Sequence, residues 1–159
     1  MKNFYVYQNC VDIVRTDGAI LRIFFNENSG KAYFRYKIGS LSKVKHTGIF
    51  IGTDVRGNSY FMHNHHQTGR LAIVLQQEFS KNRELFLFKI PEMEVAAVIE
   101  NGLKEVARGE RYDVLNYNCQ TFVNVAFIRV RKSEDVSRIV GQIFFWTILV
   151  VGTVAIVKS

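Results

Sequence analysis

The sequence predicts an α+β domain, an antiparallel sheet followed by helices, with a membrane-spanning helix behind it. Three observations carry that expectation. Up to residue 90, short apolar or alternating runs are separated by turns rich in Gly, Asn and Asp. After Pro91 the apolar period becomes that of a helix. From Ile139 to Val157 the chain carries no charge at all.

The strands come first. Asp12–Val14 and Leu21–Phe25 flank the turn at Asp17-Gly18. Asn26–Gly30 is a second turn, and Lys31–Ile38 suits a partner strand. Thr47–Gly52 is apolar and alternates tightly, which suits a buried strand. Asp54–Ser59, with Gly57-Asn58, is a hairpin loop from which Tyr60–His65 pairs back. Leu71–Leu75 and Glu84–Ile90 are further strands.

Two helices follow. Pro91 opens the first, with Glu92 and Glu94 in its opening turn. Val95, Val98, Ile99, Leu103 and Val106 recur at helical spacing; Lys104 and Arg108 close the helix, and Gly109 stops it. The second begins at Asn118, a good N-cap residue, and carries a stripe of Phe122, Val123, Ala126, Phe127 and Val130.

A chain of 159 residues, 48% hydrophobic and with one proline, suits one compact domain rather than a disordered linker. We place that domain at residues 1–138 and the anchor at 139–157. Ile139–Val157 is long enough, at about 1.5 Å per residue, to cross a bilayer's hydrocarbon core. It shows no polar face, as a helix of a soluble core would. Arg129, Arg131, Lys132 and Arg138 precede it and only Lys158 and Ser159 follow. That bias predicts a single-pass protein with its N-terminal domain in the cytosol. The net charge of +7 suits anionic partners such as lipid headgroups. Nucleic acid is a weaker fit, since no aromatic-plus-basic stripe exists.

Two cysteines, Cys10 and Cys119, make no disulfide framework, and no Cys-x-x-Cys pair suggests a metal. The N-terminus lacks the apolar run of a secretion signal, so a reducing compartment is expected. Cys119 stands at the first position of the second helix, where free N–H groups and the helix dipole favour a thiolate. The same N–H groups suit an oxyanion. A nucleophilic thiol needs a base, and the histidines are His46, His63, His65 and His66. Strand alternation puts His46 on the face of Gly48 and Phe50, and His63 on the face of Phe61 and His65. A hairpin brings His46 and His63 side by side, and one of them reaches the thiol if the Cys119 helix covers that face. A small buried cysteine and a solvated His63-x-His65-His66 loop, or a weak metal site, fit the same residues.

Two motifs narrow the choice. His46-Thr-Gly-Ile-Phe-Ile-Gly52 resembles the H-box of the lecithin:retinol acyltransferase-like family, and Asn118-Cys-Gln-Thr-Phe-Val-Asn124 resembles its NC motif. Tyr60-Phe-Met-His63 resembles the strand that ends in the family's second histidine. The resemblance is closest to the HRAS-like suppressor phospholipase A/acyltransferases and runs from His46 through Arg131–Val136 into the tail. It implies a circularly permuted papain-like (NlpC-type) fold. It also implies Cys119 as nucleophile, His46 as base and His63 as orienting partner, with no cofactor and no metal. The implied activity is acyl transfer from phospholipids through a cysteine thioester. Gln120 and Thr121 depart from the Glu-His that often follows the cysteine, and Ile20–Lys45 has no clear counterpart. Some picornaviral proteins carry the same motif pair with a hydrophobic tail. Alternatives are therefore a papain-like peptidase or amidase, and a membrane-anchored interaction protein that does not use the triad. Acyl donor, acceptor and oligomeric state are not legible in the residues.

Overall fold

A computed structural model describes residues 3–36, 45–65, 69–109, 111, 113 and 118–128. The chain is α+β, with eight strands and three helices among these residues. The strands are β1 (Asn3–Val6), β2 (Cys10–Val14), β3 (Ile20–Phe24), β4 (Ala32–Tyr36), β5 (Lys45–Thr53), β6 (Ser59–His65), β7 (Arg70–Leu75) and β8 (Phe86–Lys89). The helices are α1 (Gln76–Ser80), α2 (Val95–Arg108) and α3 (Cys119–Ile128). All strand pairings are antiparallel.

The strand order is β1-β2-β3-β5-β4-β8, with β6 on the other side of β5 and β7 beyond β6. The long strand β5 is the hub. Its first half pairs with β4, from Tyr36↔Lys45 to Ala32↔Ile49, and its end meets β3 at Phe24↔Thr53. Gly52 makes that junction possible. A Cβ there would lie 2.0 Å from the Phe24 carbonyl oxygen, and the residue holds φ +152°. The ladder slips by one residue between Phe50 and Gly52, which bends β5 as it passes from one partner to the other.

Alternation along β5 and β6 divides the sheet into two faces. Ile49, Ile51 and Met62 join the main core with Val98, Ile99 and Leu103 of α2 and Phe122, Val123 and Ala126 of α3. Phe50, Phe61 and Val74 form a smaller cluster on the other face with Phe79 of α1. The packing beneath α2 is close. A Cβ at Gly102 would meet the end of the Met62 side chain at 2.5 Å.

The expected strands all appear, with ends moved by a residue or two; positions 37 and 38 of the one expected at Lys31–Ile38 lie outside the described residues. The hairpin loop is held by Asp54, whose carboxylate accepts from the Arg56 and Asn58 amides, the Asn58 side chain and the Tyr60 hydroxyl. Gly109 ends α2 in the left-handed conformation, as its position predicts. The start of α2 is a correction. It begins at Val95 and not at Pro91, because Glu94 is still extended, with ψ 141°. The chain uses residues 90–94 to leave β8 and turn back over the core. Two elements were not anticipated: β1, an edge strand, and α1, one short turn whose sequence QQEFS lacks a helical stripe.

No helix among the described residues is long and apolar enough to cross a membrane. The expected span at 139–157, its basic flank from Arg129 to Arg138, Val130 and His66 all lie outside the described residues.

Candidate active site

Local sequence places the thiol. The Asn118 side chain accepts from the Gln120 amide at 3.0 Å and the Thr121 amide at 3.1 Å, while the Phe122 amide bonds its carbonyl. This is a complete N-cap, and it starts α3 at Cys119. The cap has a chemical consequence. Two first-turn amides that suit an oxyanion, those of Gln120 and Thr121, are already held, while the Cys119 amide makes no hydrogen bond among the described residues. Cys119 is 4% exposed, and its Sγ donates to the Lys45 carbonyl oxygen at 3.7 Å.

Strand geometry places the imidazoles. The β5–β6 ladder runs from Thr53↔Ser59 to Ile49↔Met62 and stops short of the histidines. Beyond it β5 stays with β4, and β6 stays with β7 as far as His65↔Arg70. His46 Nε2 and His63 Nδ1 lie 3.0 Å apart, each residue 2% exposed and the two rings nearly perpendicular at 87°. Which nitrogen donates depends on the tautomer. Gly48 is what lets them meet. A Cβ there would stand 2.8 Å from Phe79 Cε2 and 3.2 Å from His63 Cβ. Without one, the Phe79 ring lies against both imidazoles, at centroid distances of 5.6 and 5.4 Å, and stacks on Phe61 at 4.5 Å.

The structure thus brings His46 and His63 together, and sets Cys119 at the carbonyl of Lys45, the residue before His46. It does not lay α3 over the histidine face. The stripe of α3 packs on the Ile49 and Met62 face, where apolar side chains meet it, and Phe79 occupies the histidine face. The thiol therefore comes to the sheet from the helix terminus, at the first residue of β5. His65 continues β6 beyond the pair.

Sequence reasoning missed Arg35 and Phe79. Arg35 is opposite His46 in the β4–β5 ladder and is only 6% exposed. Its Nε donates to the Phe79 carbonyl oxygen at 2.6 Å. Burial holds the guanidinium below its usual pKa range, Arg83 adds to this, and Cys119 acts the other way. One charge inside the aromatic run Ala-Tyr-Phe-Arg-Tyr was the available signal. Phe79 offered none, because it belongs to the unforeseen α1.

Among the described residues no three His, Cys, Asp or Glu side chains converge as metal ligands. A groove of 420 Å³ between β2, β3, β6, β7 and α2, lined by Ile13, Leu21, Tyr60, Leu71 and Val106, shares no residue with the cysteine–histidine group. Compared with family models, curated proteins and solved structures, the chain matches none.

Proposed function

We propose that the chain is a membrane-anchored thiol phospholipase A/acyltransferase, built on a circularly permuted papain-like domain, with a span at residues 139–157. The observation that carries this reading is the 3.0 Å contact between His46 and His63, beside a helix-terminal Cys119 whose thiol rests on the neighbouring Lys45 carbonyl. The H-box and NC resemblance and the basic surplus point the same way.

The reaction runs in two halves. Cys119 passes its proton to His46, and the sulfur attacks the ester carbonyl carbon of a phospholipid. The carbonyl π electrons move to oxygen, and the Cys119 amide stabilises that oxyanion. Collapse breaks the ester C–O bond, and the leaving alkoxide takes the proton from His46. A lysophospholipid departs and an acyl thioester remains. Water or another acceptor then gives a proton to His46 and attacks the thioester carbonyl; collapse breaks the C–S bond, and the sulfur takes the proton back from His46 as the acyl product leaves. His63, 3.0 Å from His46 Nε2, holds that ring in place as it takes and returns the proton.

Full-length protein incubated with phosphatidylcholine should gain the mass of one acyl chain on Cys119, and Cys119→Ala should gain none. No adduct under conditions that label a known thiol acyltransferase would overturn the proposal. Cleavage of a peptide without lipid acylation would transfer the chemistry to an amidase.

One observation favours a second reading. α3 covers the face opposite the histidines, and the thiol is bonded to a backbone carbonyl. This suits a membrane-anchored interaction protein that does not use Cys119. A cellular effect that survives Cys119→Ala would select it.

A further inference from the structure

We propose that Arg35 and Arg83 form an anion subsite beside Cys119 that takes the phosphate of a phospholipid headgroup. The proposal rests on the lipid reading above and names what would hold its substrate. A guanidinium has five N–H donors in a planar fork that matches phosphate oxygens. Arg35 uses its Nε on the Phe79 carbonyl, which fixes the fork in place. Neither arginine has an ion-pair partner among the described residues. The nearby acids of α1 and the turn after it, Glu78 and Glu84, are exposed.

Burying a charge without a counter-charge is costly, by several kcal/mol in general, so an arginine 6% exposed with no ion pair among the described residues suits an anion. Arg83 supplies the second fork. Its Nη1 donates to the carbonyl oxygen of Tyr36, the residue after Arg35, at 2.5 Å, and its own amide bonds the Ser80 carbonyl oxygen. The two positive groups are therefore held on adjacent backbone, near enough for Arg83 to disfavour the charge on Arg35. The register ties the pair to the site. Arg35 faces His46 across the ladder, and the thiol is bonded to the residue before His46. Capping the end of α1 accounts for one N–H of the Arg35 guanidinium and for none of the Arg83 guanidinium.

The test uses the full-length chain carrying Cys119→Ala, which blocks turnover, in a neutral maltoside detergent. Titration calorimetry compares dihexanoylphosphatidic acid, dihexanoylglycerol and inorganic phosphate. The phosphatidic acid should bind at least about tenfold more tightly than the diacylglycerol, with inorganic phosphate competing weakly. Arg83→Gln, at a half-exposed position that tolerates change, should weaken the phosphatidic acid about tenfold, and Arg83→Lys should recover part of the loss. Equal binding of the diacylglycerol, or unchanged binding by Arg83→Gln, overturns the subsite. Inorganic phosphate binding as tightly as the lipid overturns the headgroup assignment. The thioester assay on the Cys119 chain runs beside it. Absent acylation with phosphate-dependent binding intact defeats the catalytic reading and keeps the subsite; acylation with binding indifferent to Arg83 does the reverse.

Discussion

Replacing Gly48 by Ala should damage both the stability of the domain and the histidine pair. The new methyl carbon would lie 2.8 Å from Phe79 Cε2, 3.0 Å from Phe79 Cζ and 3.2 Å from His63 Cβ. Carbon atoms rest at about 3.5–4.0 Å, so the shortfall at the ring is about 0.7 Å or more. Phe79 cannot simply swing aside. It is fully buried, stacked on Phe61 at 4.5 Å, and its carbonyl holds Arg35. The strain falls on the ring, on His63, or on both. Overpacking of this kind costs about 1–3 kcal/mol, and about 2 kcal/mol in a chain of this size lowers Tm by about 4–8 °C. Urea and thermal denaturation of the full-length variant measure the loss, and imidazole proton NMR reports on the pair. A second substitution separates collision from backbone effects. Phe79→Leu removes the atoms in conflict, so in the double variant the two losses should sum to less than their separate values, by about 1 kcal/mol or more. Gly48→Ala with wild-type stability and unchanged imidazole signals would refute the packing argument. Additive losses would place the cost in the strand backbone.

Three further outcomes are expected. Asn118→Ala removes the acceptor of the Gln120 and Thr121 amides and should cost about 0.5–2 kcal/mol by denaturation, with slower acylation of Cys119; Asn118→Asp should keep the cap. Thr47→Val should be neutral or stabilising by about 1 kcal/mol, because the Thr47 hydroxyl is buried without a hydrogen-bond partner; a clear loss of stability on denaturation would show that the hydroxyl is satisfied in solution. Asp54 should contribute an acid limb to stability. The Asn58 side chain, against opposing desolvation, and then the Asn58 amide, the Tyr60 hydroxyl and the Arg56 amide hold its pKa down to about 2. A depressed carboxylate stabilises the fold above its unfolded value, near 4, and loses that contribution as pH falls toward 2. Asp54→Asn should flatten that limb in denaturation curves taken between those values.

What the sequence alone determined is local. Period-2 runs placed β2–β8 within a residue or two, Gly109 ended α2, and Asn118 began α3, because caps and alternation depend on neighbours along the chain. The same alternation put His46 and His63 on one face and so foresaw that they would meet. The tertiary structure decided which elements cover which face. The α3 stripe of Phe122, Val123 and Ala126 fits either side of a sheet by pattern; it lies on Ile49 and Met62 because those are apolar, while Phe79, from a turn too short to show a period, fills the other side. Arg35 reads as an ordinary strand charge until the β4–β5 ladder seats it opposite His46 and buries it. Such facts depend on contacts between residues distant in sequence, and no local pattern encodes them. Cys119 is marked for the site by its helix start, but its resting place on the Lys45 carbonyl comes from how α3 meets the end of β5.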